Sequence, residues 1–222
     1  MNNMLPKTVQ DFYRDFNFEE VITNPPLPIQ KFLDEEIKFI SRHVKQGSKI
    51  LEVGCGYGRL LNILAEKADK IVGIDFSEPL LEKAHESFKN RKNVELWFMD
   101  AQKMSFEDES FDYVLCLDAT FGNMPGIEEK VLNEMKRVTK DTGEVVISVF
   151  SENAKDAQLE NYHRIGLTGI KDDGAAVTSK EGFYSRRFTK KQLQELFERA
   201  RLSCDVISLC PINYVATGRK NA

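Results

Sequence analysis

The sequence predicts an α/β fold in which a parallel sheet carries helices on both faces. Short runs that are almost wholly apolar alternate with stretches whose apolar residues recur at helical spacing. Such runs are typical of strands buried on both faces, and the alternation of strands and helices favours right-handed crossovers between parallel strands. The five runs are Lys49–Val53, Lys70–Ile74, Val94–Phe98, Tyr113–Leu117 and Glu144–Val149.

The helices are predicted from one-sided apolar spacing and from capping residues. Ser77 is a suitable N-cap for one of them, and Pro79 stands in its first turn. Thr189 and Gln192 form a capping-box pattern at the start of another. Besides the helix that begins at Thr189, four helices are predicted at Leu27–Val44, Arg59–Lys67, Glu78–Lys89 and Ile127–Thr139. Two further runs, Cys204–Cys210 and Tyr214–Thr217, predict an antiparallel strand pair that completes a sheet of seven strands.

Two segments depart from this alternation. Residues 1–45 are predicted to form a helical cap, and their aromatic cluster either staples a helix or lines a pocket. That cluster consists of Phe12, Tyr13, Phe16 and Phe18. Residues 151–188 hold four glycines and little helical periodicity, and irregular segments of this length are usually functional. We therefore expect this insertion to cover the active site of a single domain, 1–222, and to open at low cost without ligand.

Composition restricts the class of partner. The 31 basic and 35 acidic residues give a net charge of −4, which disfavours a large nucleic-acid surface. No apolar run approaches the roughly 18 residues of a membrane span, and the N-terminus lacks the apolar core of a signal peptide. The four cysteines form no CxxC pair, so neither a disulfide framework nor a zinc site is expected. We expect a cytoplasmic protein, monomer or homodimer, that acts on a small molecule.

The strongest chemical signal is the glycine-rich turn that follows the first predicted strand. Gly54, Gly56 and Gly58 lie between a buried strand and a helix, where glycine permits tight turns and close approach of a ligand. Gly58 stands at the helix start, where alanine should be tolerated. Asp75 ends the next strand, and a carboxylate there can accept both ribose hydroxyls of a nucleoside. A turn that merely needs glycine is the alternative.

The spacing of these glycines separates two families. Nicotinamide-dinucleotide oxidoreductases are expected to carry the motif GxGxxG and a second catalytic domain. This chain instead has the spacing GxGxG. The arrangement resembles motif I of the class I S-adenosylmethionine (SAM)-dependent methyltransferases, which implies a Rossmann-like fold. The resemblance extends to four more segments. These are Ile71–Ser77, Met99–Ala101, Phe111–Leu115 and Glu134–Glu144, the last with Asp141-Thr142-Gly143 where the family has Pro-Gly-Gly.

The resemblance implies SAM as cofactor and nine residues that bind it. They are Glu52, Gly54, Cys55, Gly56, Asp75, Phe76, Asp100, Ala101 and Leu117. Glu52, the glycines and the backbone of Leu117 would lie near the methionine part, and Asp75 would bind the ribose. Phe76, Asp100 and Ala101 would contact the adenine. Packing is the alternative for Phe76, and a turn is the alternative for Asp100.

The implied activity is methyl transfer to a small-molecule acceptor, with a SAM-fold binding protein without transfer activity as the alternative. The candidate substrate-pocket residues are Tyr13, Asp118, His163 and Tyr184. Asp118 could hold an amine or cap a turn, and His163 could be a surface residue. Arg186 and Arg187 form either a solvated face or a site for an anionic group. No catalytic base and no metal site are predicted.

Overall fold

A mixed sheet forms the centre of the computed structural model, which describes residues 7–16 and 19–221. Phe18 of the aromatic cluster lies outside these residues. Within them the sheet has ten strands. They are β1 (Lys49–Val53), β2 (Lys70–Asp75), β3 (Val94–Phe98), β4 (Phe111–Cys116), β5 (Thr139–Ser151), β6 (Lys171–Asp172), β7 (Ala176–Thr178), β8 (Tyr184–Phe188), β9 (Asp205–Ile207) and β10 (Asn213–Gly218).

The strand order confirms the predicted parallel sheet. Strands β3, β2, β1, β4 and β5 are neighbours in that order, and every pair among them is parallel. Strand β10 runs antiparallel to both β5 and β9, which is the predicted C-terminal pair. The carboxyl ends of the five parallel strands therefore meet at one edge, where open α/β sheets bind ligands.

Eight α-helices are present among the described residues. They are α1 (Lys7–Asp15), α2 (Glu19–Ile22), α3 (Leu27–His43), α4 (Arg59–Leu64), α5 (Glu78–Phe88), α6 (Glu128–Val138), α7 (Lys155–Arg164) and α8 (Lys190–Arg199). The capping box at Thr189 is present. Ser77 occupies the N-cap of α5, but its hydroxyl donates to the carbonyl of Arg14 instead of capping the helix. No described helix is long and apolar enough to cross a membrane.

Adjacent residues of β1 show that both faces of the sheet are covered. Ile50 packs in a cluster with apolar side chains of α3, α4 and α5. Leu51, the next residue, packs with those of α6 and α8. Side chains alternate between faces along a strand, so each face needs an apolar residue. This explains why the strand sequences are continuously apolar.

The insertion is more regular than its sequence indicates. Residues 155–164 form α7, and β8 extends the sheet by pairing in parallel with the last two residues of β5. The expectation of little helix was wrong because α7 buries polar residues, Gln158 and Asn161, beside Ala157 and Tyr162. A helix with a polar buried face shows no apolar periodicity. Opening of this segment without ligand stays a prediction.

Candidate functional site

One cavity opens at the carboxyl edge of the parallel strands. Counted together with its open mouth, the space is about 1310 Å³. Its two ends differ in chemistry. The turn end is lined by Glu52, Gly54, Cys55, Gly56, Asp75 and Phe76. The apolar end is lined by Ile29, Phe32, Leu33, Phe150, Tyr162 and Phe183.

The glycine turn wraps over the end of β2. The backbone N–H groups of Gly54 and Cys55 both donate to the carbonyl of Ile74, at 2.8 and 3.0 Å. Gly54 has φ +73°, and a Cβ there would lie 2.4 Å from the Thr120 side chain. Gly56 also has positive φ, but a Cβ there would meet only Leu80, at 3.9 Å. Packing therefore requires glycine at position 54, while position 56 leaves space beside the backbone for a ligand.

Gly58 is more restricted than its place at the helix start indicates. Its φ is +89°, and a Cβ would lie 2.4 Å from Cε2 of Phe88. The expectation that alanine is tolerated was wrong, because Phe88 is 30 residues away in sequence and its contact with the turn is a tertiary one. The third glycine of the motif thus serves the packing of α5 against the turn.

Replacing Gly58 with alanine is expected to lower the free energy of unfolding by about 2–4 kcal/mol, because it adds backbone strain and overpacks the Phe88 contact. Chemical denaturation measures this change. Gly47→Ala is the control, since Gly47 also has positive φ (+76°) but open space around it; it should cost about 1 kcal/mol. Equal losses in the two variants would contradict the Phe88 contact.

Asp75 ends β2 and faces the turn. One carboxylate oxygen accepts from the N–H of Gly56 at 2.8 Å, and the other accepts from the N–H of Ser77 at 2.9 Å. Burial raises the pKa of Asp75, and these backbone donors oppose that rise. Each oxygen keeps a further lone pair, so the carboxylate can also accept two hydroxyl groups from the cavity.

Glu52, near the end of β1, has a buried carboxyl oxygen without a hydrogen-bond partner. It is 4 % exposed, lines the cavity, and its Oε2 has no hydrogen-bond partner. Burial raises the pKa of Glu52 well above its usual value, although the nearby Arg59 lowers it. A buried carboxyl group without a partner costs free energy, and a cationic ligand group bound here would remove that cost.

Arg59 holds a buried cluster of acidic residues behind the turn. Its Nε donates to Asp118 at 2.8 Å, and its Nη2 donates to Glu36 at 3.0 Å. Glu36 is fully buried on α3 and also accepts from the Asp118 N–H and the Ser148 hydroxyl. Burial and the adjacent Asp118 raise the pKa of Glu36 to about 7, against the opposing effect of Arg59. This cluster ties α3 to the carboxyl edge of the parallel strands.

The sequence analysis missed Glu36 and Arg59 and left Asp118 open. Asp118 lines the cavity, but its carboxylate is committed to Arg59. The signal for Glu36 was present: it shares a helix face with Ile29, Phe32 and Ile40, so it is a charged residue on the apolar side of α3. Such a residue is expected to be paired.

The structure separates the remaining cofactor candidates. Phe76 and Ala101 line the cavity. Asp100 is exposed and outside the lining, and its carboxylate accepts from the Gln102 N–H at 2.8 Å in a local turn. Leu117 is also outside it, because its apolar side chain packs in the core. The chain reaches the cavity only after Leu117, at residues 118–120.

The substrate candidates separate in the same way. Tyr13 lines the cavity, and its hydroxyl donates to the carbonyl of Tyr184 at 2.6 Å. Tyr184 itself does not line the cavity. Its backbone carbonyl only holds the hydroxyl of Tyr13 in place. The placement of His163 in the pocket was wrong. On α7, Asn161 and Tyr162 face the cavity, and the next residue points about 100° away, into solvent.

The paired arginines are neither a solvated face nor a site in the cavity. Arg186 pairs with Glu128 at 2.9 Å. Arg187 is 3 % exposed and pairs with Asp172, and it donates to Gln158 at 2.8 Å. The insertion supplies four residues to the cavity lining, of which Phe183 and Ser185 flank the predicted Tyr184. Asn161 and Tyr162 lay in the stretch expected to be irregular.

Comparison with known proteins identifies the family of this chain. A family model described as a methyltransferase domain matches residues 44–201. Demethylmenaquinone methyltransferase from Staphylococcus haemolyticus is 39% identical over 107 residues, which are 47% of this chain and 44% of that protein. The match thus spans less than half the length of that relative.

Two solved structures share the fold over nearly the whole chain. The PH0226 protein of Pyrococcus horikoshii has a TM-score of 0.74 at 22% identity, over 95% of this chain and 99% of that one. Burkholderia thailandensis 1,6-didemethyltoxoflavin-N1-methyltransferase, solved with S-adenosylhomocysteine (SAH), has a TM-score of 0.70 at 17% identity, over 96% and 87%. With the family model covering most of the chain, these findings show that this protein belongs to the methyltransferase domain family.

Proposed function

We propose that this protein transfers the methyl group of SAM to a small-molecule acceptor bound in the apolar end of the cavity. The observation that carries the proposal is the continuity of the cavity. One end has the glycine turn with Glu52 and Asp75, and the other has an apolar wall. A cofactor in the turn end and an acceptor in the apolar end would meet within one enclosed space.

The residues of the turn end fit SAM. Asp75 has lone pairs for the two ribose hydroxyls, and Gly56 leaves space for the ligand beside the backbone. Glu52, with its unpartnered buried oxygen, suits the ammonium group of the methionine part. Phe76 and Ala101 offer apolar contacts for the adenine.

SAM supplies an electrophilic methyl group on a positively charged sulfur. The chain's own contribution is to hold the acceptor in line with that group and to exclude water, which can supply much of the rate. Among the described cavity residues none is a histidine. Burial raises the pKa of Tyr13, and that of Tyr162 to about 12, so both phenols stay protonated at neutral pH. We therefore propose catalysis by positioning.

Calorimetric titration with SAM, SAH and NAD tests the cofactor assignment. We expect binding of SAM and SAH but not of NAD. A second assay follows the release of SAH with a panel of metabolites as acceptors. SAM binding without turnover on any acceptor would support a binding protein without transfer activity, and NAD binding in place of SAM would contradict the proposal.

A further inference from the structure

The wall of the apolar end contains one buried polar chain, here named the Ser185 relay. It consists of Arg187, Gln158, Tyr162 and Ser185, each at most 3 % exposed. Tyr162 and Ser185 line the cavity, whereas Gln158 and Arg187 lie behind them. Buried polar groups need partners, so the direction of each hydrogen bond in this chain can be worked out.

Arg187 fixes that direction. A guanidinium group has only donors, so the Gln158 atom at 2.8 Å from Arg187 Nη1 must be the amide oxygen. The amide nitrogen of Gln158 then points to Ser185 Oγ at 3.1 Å and to the Tyr162 hydroxyl at 3.4 Å. An amide nitrogen only donates, so both hydroxyl oxygens accept from it. The pairing of Arg187 with Asp172 holds the first member in place.

Tyr162 continues the chain toward Ser185. Its hydroxyl donates to Ser185 Oγ at 2.9 Å, which is its one described acceptor. Ser185 Oγ therefore accepts from both Gln158 and Tyr162, and a hydroxyl oxygen has two acceptor positions. Its own proton has no acceptor in the part of the chain that the structure describes. At the cavity wall the relay therefore ends in the Ser185 hydroxyl. This group can donate its proton to a ligand, but its oxygen cannot accept a further hydrogen bond.

We propose that Ser185 donates this proton to an oxygen of the methyl acceptor. This inference rests on the proposed function and names its substrate class. The acceptor is a largely apolar ring molecule that carries a carbonyl or anionic ring oxygen. The ring is inferred from the apolar end, where Phe32 and Phe150 meet edge to face at 5.5 Å and Tyr162 and Phe183 at 4.5 Å. Aromatic side chains in a cavity lining favour contact with a flat ring.

The relay also excludes a class of ligand. A ligand N–H or O–H placed against Ser185 would meet an oxygen whose lone pairs are already used. Sites built around one hydrogen-bond polarity reject the opposite polarity, because a buried group is then left unpaired. The Ser185 relay therefore selects oxygen acceptors over hydrogen-bond donors of the same size.

Two bicyclic probes of similar size test this polarity on the full chain saturated with SAH. 1-Indanone carries only an acceptor oxygen, and indole carries only an N–H donor. Ligand-observed NMR titration gives both affinities. We expect the wild type to bind 1-indanone about five- to tenfold more tightly than indole, the effect of about one net hydrogen bond. In the double variant Tyr162→Phe/Ser185→Ala, which also removes the Tyr162 hydroxyl that would otherwise be left as a free donor at the cavity wall, that preference should vanish while both probes still bind.

The substitution Gln158→Glu reverses the direction of the hydrogen bond between residue 158 and Ser185 and keeps a side chain of the same shape in place. The new carboxylate still pairs with Arg187, but it accepts a hydrogen bond from Ser185 instead of donating one. An oxygen lone pair of Ser185 then faces the cavity, so the preference should shift from 1-indanone to indole. A preference for 1-indanone that persists in both variants, tighter binding of indole by the wild type, or binding of neither probe would each overturn the inference.

The SAH titration of the same samples keeps the two proposals apart. Wild type that binds SAH but shows no probe preference refutes the Ser185 assignment alone. Wild type that shows the preference but binds neither SAM nor SAH refutes the proposed function and leaves Ser185 as a ligand site. Should the double variant Tyr162→Phe/Ser185→Ala not fold, the reversal in Gln158→Glu decides the question, since that variant keeps the shape of the side chain.

Discussion

Replacing Asp75 with alanine is expected to weaken SAM binding by about 2–3 kcal/mol, or roughly 30- to 150-fold in affinity, because two charge-assisted hydrogen bonds to the ribose are removed. The same change leaves the N–H groups of the half-buried Gly56 and the buried Ser77 without these acceptors. The variant should therefore also lose stability, which the sequence alone did not indicate. Calorimetry well below the unfolding midpoint measures the affinity separately from this loss.

Asp112→Ala is the matched control. Asp112 also accepts from a backbone N–H, that of Lys49 at 2.8 Å, but it lies at the opposite edge of the sheet, where β4 begins. Removing it should lower stability and leave SAM affinity unchanged. Equal affinities in wild type and Asp75→Ala would refute the role of Asp75, and a similar loss in Asp112→Ala would show that destabilisation alone weakens binding.

Replacing Arg59 with leucine is expected to lower the free energy of unfolding by about 3–5 kcal/mol near pH 8, because Glu36 and Asp118 lose their buried counter-charge. Urea denaturation measures the loss. Arg91→Leu serves as the control, since Arg91 pairs with Glu66 on the exposed surface. Such pairs contribute about 0–1 kcal/mol, so a loss in Arg91→Leu as large as that in Arg59→Leu would contradict the account.

The loss in Arg59→Leu should depend on pH. The pKa of Glu36 in the folded protein is already raised to about 7, so its contribution to stability is greatest at low pH and falls as pH rises toward 7. Without Arg59, which lowers this pKa, the folded state keeps the proton to higher pH while the unfolded state has lost it. Stability should then continue to fall above pH 7, by about 1.4 kcal/mol per pH unit for each retained proton. A loss that is independent of pH would mean that Arg59 acts through packing.

The turn end could be predicted because its chemistry is local in sequence. Gly54 and Gly56 stand directly after β1, and Asp75 ends the neighbouring strand, so the pattern of strands alone brings them to one edge. The cluster around Arg59 could not be predicted in the same way. Its partners come from α3 and from the loop after β4, and only the packing of α3 against the sheet brings them together.

The apolar end was harder to predict because it is built from polar as well as apolar residues. The buried face of α7 carries Gln158 and Asn161, which are paired rather than apolar. Pairing across 27 residues, as between Gln158 and Ser185, leaves no periodic signal in the sequence. The exposed position of His163 follows from the same helix, whose existence the periodicity did not indicate.

The crystal structure of the complex with SAH tests the central claim most directly. We predict that both ribose hydroxyls lie within hydrogen-bond distance of the Asp75 carboxylate and that the amino group of the homocysteine part lies beside Glu52. The sulfur should face the apolar end, toward Ser185. SAH bound with its adenosine in the apolar end, or outside this cavity, would contradict the account.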